Sequence, residues 1–459
     1  MRGLVGVRCH RKDEGPMRQV LASGLALRRH PDSNRGMRVL QTLALPLGYG
    51  AMNRGPVLYA VRLWPVKEAT QERGSPMLHG YGLFQEEHEA FRRTVRAVVE
   101  KELLPHAKEW EAREEFPREL YLRFGELGFL GLKYPEAYGG SAAGELYEAV
   151  LLEELGRCGS GGVSAGLAAQ FTISTGPLHL FGTDEQKRRF LAPAIRGEKI
   201  GALAITEPDA GSDVAGLRTT AVRDGEHYVL NGSKIYITNG VRADFVVCAV
   251  KTDPTVGHKG LSMIIVEKGT PGFGVGRKLQ KLGWRASDTA ELFFEDCRVP
   301  AGNLLGQEGQ GFYQIMGNFQ WERLSLALGA LGSIEDMLEK VMVHVKERRA
   351  FGQSLNGFQV VRHKLAELFT EFECARQLTY HALRLHVGGQ YAVAQTSMAK
   401  KVATETACRV ADACLQLYGG AGYMMEYDIQ RHWRDARLGP IGGGTSEVMN
   451  EIIAKQLGL

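Results

Sequence analysis

Five stretches of this chain gather side chains suited to holding a flat polar ring and an anion. In Lys234-Ile-Tyr-Ile-Thr-Asn-Gly240, strand alternation places Tyr236 and Thr238 on one face and Ile237 on the other. That pairing offers an aromatic plate with a hydroxyl beside it. Ala204-Ile-Thr-Glu-Pro-Asp-Ala-Gly-Ser-Asp213 collects small residues, hydroxyls and backbone donors in a turn-rich segment. Such a segment can bond the edge of a ring or simply connect two elements, and its residue types leave both readings open. Arg348-Arg-Ala-Phe-Gly352, with Gln359 close behind, follows a helix and presents a planar guanidinium fork suited to pyrophosphate. Gln416-Leu-Tyr-Gly-Gly-Ala-Gly422 and Gly442-Gly-Gly-Thr-Ser-Glu447 read as glycine-rich turns opening helices, where backbone N–H groups meet anions.

Other patterns carry less. Gly162-Val-Ser-Ala-Gly166 fits the GxSxG form of a nucleophilic serine, but a helical pattern precedes it where that chemistry needs a strand. Gly272-Phe-Gly-Val-Gly276 is half a dinucleotide fingerprint with no helix after it, and reads as a loop. Cys9, Cys158, Cys248, Cys297, Cys374, Cys408 and Cys414 form no CxxC pair and no zinc-spaced cluster with histidine. The expectation is free thiols in a reducing compartment and no metal.

The elements that must position these stretches run helical, then β, then helical. Phe84, Phe91, Val95, Val98 and Val99 open an amphipathic helical region reaching about Ile200, in which 145–157 and 184–197 show heptad-like apolar spacing with charged outer faces. From 201 to 303 come short β-prone runs, Phe245–Val250, Leu261–Val266 and Leu292–Phe294. Asn231-Gly232 is expected to turn His227–Leu230 back onto Ser233–Ile237 as a type I′ hairpin. Four or five long helices are expected after Asn303, one carrying a core stripe of Leu365, Leu368, Phe372, Ala375 and Leu378.

Residues 1–76 differ from the rest. They hold 13 Lys and Arg against 5 Asp and Glu, so the net +4 of the 459 residues divides into +8 there and −4 in 77–459. An acidic body argues against nucleic-acid binding. No apolar run approaches the ~18 residues of a membrane span. The basic stretch reads as sequence upstream of a start at Met77, as a transit peptide, or as a basic arm.

Together, in this order and spacing, the five stretches resemble the acyl-CoA dehydrogenase family of flavoproteins from about Phe84 to Leu459. The resemblance implies a mainly α fold with a central β domain: a helical domain (77–200), a β domain (201–303) and a C-terminal four-helix bundle (304–459). It also implies FAD held without a Rossmann fold, a homotetramer, and electrons passed to an electron-transferring flavoprotein. Location would be cytoplasmic, or the mitochondrial matrix if 1–76 is a transit peptide. By position, Leu203, Thr206, Gly211 and Ser212 would contact the flavin ring and pyrophosphate, and Ser212 the substrate as well. Tyr236 and Thr238 would cover one flavin face and bond its edge, with Ile237 between them also at the cofactor. Arg348, Phe351, Gln359, Gln416 and Gly420 would grip the adenine-diphosphate half, partly from a neighbouring subunit, with Thr445 and Glu447 also touching FAD.

Many members of this family carry a catalytic glutamate directly before the last Gly-Thr pair, where this chain has Gly443. Long-chain and isovaleryl members place it instead at the start of a C-terminal-domain helix, before an arginine. Gln320-Trp-Glu-Arg323 stands at that point, making Glu322 the expected base, with Glu447 second. In isolation Glu322 would read as a solvated helix-start carboxylate. Gln320, Arg323 and the Gly443 N–H are then expected at the acyl-CoA. The implied reaction is α,β-dehydrogenation of a saturated acyl-CoA, medium- to long-chain by its likeness to the long-chain members. A branched short-chain substrate, an acyl-CoA oxidase and a DNA-associated flavoprotein are the alternatives.

Overall fold

The computed structural model describes residues 82–459; the stretch 1–76, with its three readings, lies outside the described residues. Helices come first: α1 (Glu86–Val98), α2 (Ala107–Arg113), α3 (Glu119–Glu126), α4 (Glu145–Gly156), α5 (Gly161–Ala168) and α6 (Thr175–Phe181), then the short α7 (Asp184–Gln186) and α8 (Ala192–Ile195). The charged outer face expected on 145–157 is not outside. In α4, Glu148, Glu153 and Glu154 are buried with the leucines, as befits a helix enclosed on every side. Their charge is matched: Arg92 lies 2.6 Å from Glu153, Arg96 2.8 Å from Glu154, and Lys133 2.9 Å from Glu148.

An eight-stranded sheet follows, made of β1 (Gly201–Ala204), β2 (Thr220–Asp224), β3 (His227–Thr238), β4 (Phe245–Lys251), β5 (Leu261–Glu267), β6 (Phe273–Lys278), β7 (Thr289–Pro300) and β8 (Leu304–Leu305). Its order is β6-β7-β3-β2-β4-β5-β8, with β1 parallel to β4. Two expectations are corrected here. Asn231-Gly232 does not turn; β3 runs straight through it with a register shift against β7. The turn falls earlier, at Gly225-Glu226, where Asp224 pairs with His227 and Gly225 takes φ +58°. Gly232 instead lets β3 press on Thr219, whose Oγ1 would stand 2.5 Å from an added Cβ. Phe273 to Gly276, expected as loop, opens the edge strand β6.

The C-terminal region holds three long helices rather than four or five: α9 (Gly311–Glu347), α10 (Gln359–Val387) and α11 (Val393–Tyr418). The tiny hairpin β9 (Arg349–Ala350)–β10 (Gln353–Ser354) joins α9 to α10, and the shorter α12 (Ile429–Ala436) and α13 (Ser446–Gln456) close the chain. Leu365, Leu368, Phe372 and Ala375 are buried as expected, in the larger of two cores, which joins both helical regions. Among the described residues, no helix is long and apolar enough to cross a membrane.

Candidate active site

One face of α9 carries Glu322, Ser325, Leu326, Gly329, Ala330 and Ser333, spaced i, i+3, i+4, i+7, i+8 and i+11, and all six line a cavity that, with its opening to solvent, takes in about 880 Å³. The facing walls come from α4, α5, α11, α12 and the loop at Trp284. Small residues (glycine, alanine, serine and threonine) make up most of them, and they let the helices approach closely. At Gly156, for example, an added Cβ would stand 2.3 Å from the Gly329 carbonyl.

Glu322 is the carboxylate on this wall. It lies well inside the 37-residue α9, which begins at Gly311, so neither a helix start nor a solvated position describes it. Its Oε2 is buried without a hydrogen-bond partner. Burial pushes its pKa up to about 7, against the opposing pull of Arg323 and Lys400. The glycine turn before α13 arrives beside it: a Cβ on Gly443 would stand 4.0 Å from Glu322 Oε1.

Two cations hold that turn. Arg323, buried and stacked on the Phe319 ring, directs Nε at the Gly443 carbonyl from 3.4 Å. Lys400 of α11, fully buried among Ala399, Ala403 and Ala407, donates Nζ to the Gly444 carbonyl at 2.6 Å. Burial lowers the Lys400 pKa to about 8. Fixing two successive carbonyls fixes the peptide planes of a segment whose glycines sit at φ +65° and +99°. Nothing in the glycine motif itself signals Lys400; the clue is a lysine on the small-residue face of a helix. Thr445 is committed locally, its Oγ1 capping α13 by accepting from the Val448 N–H at 3.2 Å.

The β domain brings Tyr236 up by a different device. A register shift between Lys234 and Ile237 interrupts the pairing of β3 with β7, and Tyr236 takes φ +63°. Simple alternation is broken at this bulge. Lys234 and Ile237 point inward while Tyr236 is two-thirds exposed, and Ile237 packs in the sheet's own core. The loop beside it is anchored by a buried ion pair. Lys234 Nζ donates to Glu207 at 2.7 Å and to the Ile205 carbonyl at 3.0 Å, and Glu207 also accepts from the Arg218 and Thr219 N–H groups. The Ile235 N–H then donates to the Thr206 carbonyl at 2.9 Å, so loop and shelf move as one body. Burial opposes ionisation of Glu207, yet Lys234 holds its carboxyl below the usual range. Lys234→Met is expected to cost about 3–5 kcal/mol, since it leaves a buried carboxylate unpaired. Thermal unfolding and the flavin retained after dialysis would both fall; an unchanged melting temperature would refute the anchoring role. The strand end is tied to the cavity wall by Asn239, whose Nδ2 donates to the Gly166 carbonyl of α5 at 2.9 Å.

Residues 85–198, 202–297 and 309–458 match the acyl-CoA dehydrogenase N-terminal, middle and C-terminal domains. The chain belongs to the acyl-CoA dehydrogenase family. It is 43% identical over 377 residues to the mitochondrial long-chain specific acyl-CoA dehydrogenase of Sus scrofa, covering 82% of this chain and 87% of that one. It is 40% identical to the mitochondrial isovaleryl-CoA dehydrogenase of Solanum tuberosum, covering 82% and 91%. The crystal structure of acyl-CoA dehydrogenase from Geobacillus kaustophilus superposes with a TM-score of 0.80 at 46% identity, covering 82% of this chain and all of that one.

Acyl-CoA dehydrogenases are FAD enzymes, and the residues present fit that cofactor. Tyr236 is a bare aromatic shelf held in a strained conformation, beside a loop rich in backbone donors. Leu203 and Thr206 are half-buried next to it, with Gly211 and Ser212 exposed at the loop tip. A second group lies elsewhere. Arg348 follows the last residue of α9, 26 residues beyond Glu322, or roughly 39 Å along the helix. Around it stand Phe351, 96% exposed at φ +50°, and Gln359. Gln416 lies in the last turn of α11 and Gly420 in the short 3-10 helix Gly419–Tyr423 that follows it, so this glycine stretch ends a long helix and opens only a short one, and the His344–Tyr418 stack at 4.0 Å holds that end against α9. One chain therefore brings Glu322, Arg323 and Gly443 together and keeps the Arg348 group far away. Gln320 Oε1 is buried without a partner, and Glu447 is exposed in the first turn of α13.

Proposed function

We propose that this acyl-CoA dehydrogenase removes the α-proton and β-hydride of a medium- to long-chain saturated acyl-CoA, with Glu322 as the base. The observation that carries this reading is the unpartnered Glu322 carboxylate on the wall of a long, mostly apolar cavity. A carboxylate with a pKa near 7 is matched to taking a carbon-bound proton near neutral pH, and its dry surroundings strengthen its basicity. The α-C–H bond breaks with its proton going to Glu322, and the β-C–H bond breaks with its electron pair leaving as hydride, so the carbons become doubly bonded. FAD, when bound, supplies the acceptor for that hydride, and an electron-transferring flavoprotein is the acceptor we assign beyond it. The Gly443 N–H would donate to the thioester oxygen as enolate charge develops, in a turn that Arg323 and Lys400 hold by its carbonyls.

The cavity runs along α9 from Glu322 to Ser333, which favours a long chain over an isovaleryl-sized substrate. Because the Arg348 group stands ~39 Å from Glu322 along one helix, we assign it to the cofactor of a neighbouring copy within a homotetramer. The test is anaerobic bleaching of the flavin by saturated acyl-CoAs. Straight chains should bleach it, with kcat/KM rising as pH increases through about 7, because the base must be ionised to accept a proton. A profile flat from pH 5.5 to 8 would remove Glu322 from that role.

A further inference from the structure

The cavity is not apolar along its whole length. At the end opposite Glu322, the α9 stripe finishes at Ser333, and α12 adds His432 and Asp435 to the lining. His432 Nδ1 lies 3.3 Å from Ser333 Oγ, and its Nε2 lies 3.0 Å from Asp336 Oδ2. Lys340 stands 2.7 Å from that same Asp336 oxygen. Asp435 accepts from the Trp284 N–H at 2.6 Å and the Gly161 N–H at 2.8 Å. His432, Asp336 and Asp435 are all less than a tenth exposed.

This end is rich in hydrogen-bond acceptors. Asp336, whose carboxyl, despite burial, His432 and Lys340 hold well below the usual range, only accepts. Whichever of Ser333 Oγ and His432 Nδ1 donates to the other, the serine oxygen keeps a lone pair facing the cavity end. Asp435 likewise retains lone pairs beyond its two backbone donors. We propose that this polar end is a subsite for an uncharged hydrogen-bond donor, a hydroxyl, carried at the distal end of the acyl chain. The proposal rests on Glu322 marking the α-carbon, as above, and deepens that reading by naming the substrate class.

Length agrees. Glu322 and Ser333 are eleven residues apart on one helix, roughly 16 Å. An extended chain advances about 1.2 Å per bond, as an extended backbone does over its three bonds per residue. Roughly 13 bonds beyond the α-carbon, the end of a chain of about 14–16 carbons arrives among Ser333, His432 and Asp435. A methyl terminus there would strip water from acceptors without replacing its hydrogen bonds. A terminal carboxylate would be buried against Asp435 and Asp336, like charge on like.

The experiment compares three thioesters of equal length with the FAD-loaded enzyme: hexadecanoyl-CoA, 16-hydroxyhexadecanoyl-CoA and the mono-CoA ester of hexadecanedioic acid. Flavin reduction is read anaerobically, and binding is read from flavin spectral shifts in Glu322→Gln protein. The hydroxylated chain should bind about tenfold more tightly than the plain one, and the dicarboxylate more weakly than either. In Ser333→Ala and in His432→Leu the hydroxyl preference should fall toward one, and either variant suffices if the other does not fold. Equal or weaker binding of the hydroxylated chain by Glu322→Gln protein overturns the subsite, as does a preference that survives both variants. Bleaching by the plain chain without a hydroxyl preference overturns the subsite alone. Failure of all three to bleach the flavin overturns the dehydrogenase reading with it.

Discussion

Glu322→Gln is expected to slow flavin reduction by a saturated acyl-CoA about 10³-fold, within the range ordinarily lost with a general base, while FAD content and acyl-CoA binding stay near wild type. The substitution keeps the shape of the side chain and removes only its capacity to take a proton. It breaks no existing contact of Oε2, which has no hydrogen-bond partner. Among the described residues, no second carboxylate is placed to substitute. Glu447 is exposed at the start of α13, where the helix-start N–H groups and Thr445 hold its carboxyl below the usual range. Asp435 lines the opposite end of the cavity and is occupied by two backbone donors. Removing a carboxyl whose ionisation burial opposes should not lower the melting temperature at pH 8, which separates lost chemistry from lost fold. Stopped-flow reduction within about tenfold of wild type would transfer the role of base elsewhere.

Much of this arrangement was legible in the amino-acid order, and the exceptions share a cause. The helix–sheet–helix succession follows from local periodicity, and the stretches around Tyr236, Thr206 and Gly443 stood out by their residue types. What failed depended on partners distant in sequence. Asn231-Gly232 has the chemistry of a hairpin turn, but β7 and Thr219 hold that segment extended. The glutamates of α4 look like an outer face until Arg92 and Arg96 arrive from α1 to neutralise them. The bulge at Tyr236 comes from tertiary pairing that alternation cannot anticipate. Lys400, Ser333 and His432 belong to no motif. They matter because α9, α11 and α12 meet around one cavity, along the face of α9 that runs from Glu322 to Ser333.

Moving the carboxylate tests whether two positions address one carbon. In a Glu322→Gln background, Gly443→Glu should recover roughly 10- to 100-fold of the lost reduction rate. The geometry supports recovery, because the new Cβ would start 4.0 Å from the old Glu322 Oε1. It also limits it. Gly443 sits at φ +65°, where a side chain costs about 1–2 kcal/mol, and the Cβ would meet Leu326 Cδ1 at 2.5 Å. That atom is the free end of a flexible side chain, so Leu326→Ala should raise the recovered rate further without restoring the wild-type value. Gly443→Glu alone, with Glu322 retained, sets two carboxylates side by side in a dry cavity, where both cannot readily ionise. Its pH–rate profile should therefore shift upward from about 7, the opposite of what an added independent base would do. A folded, FAD-loaded double variant no faster than Glu322→Gln would show that the two positions aim at different atoms.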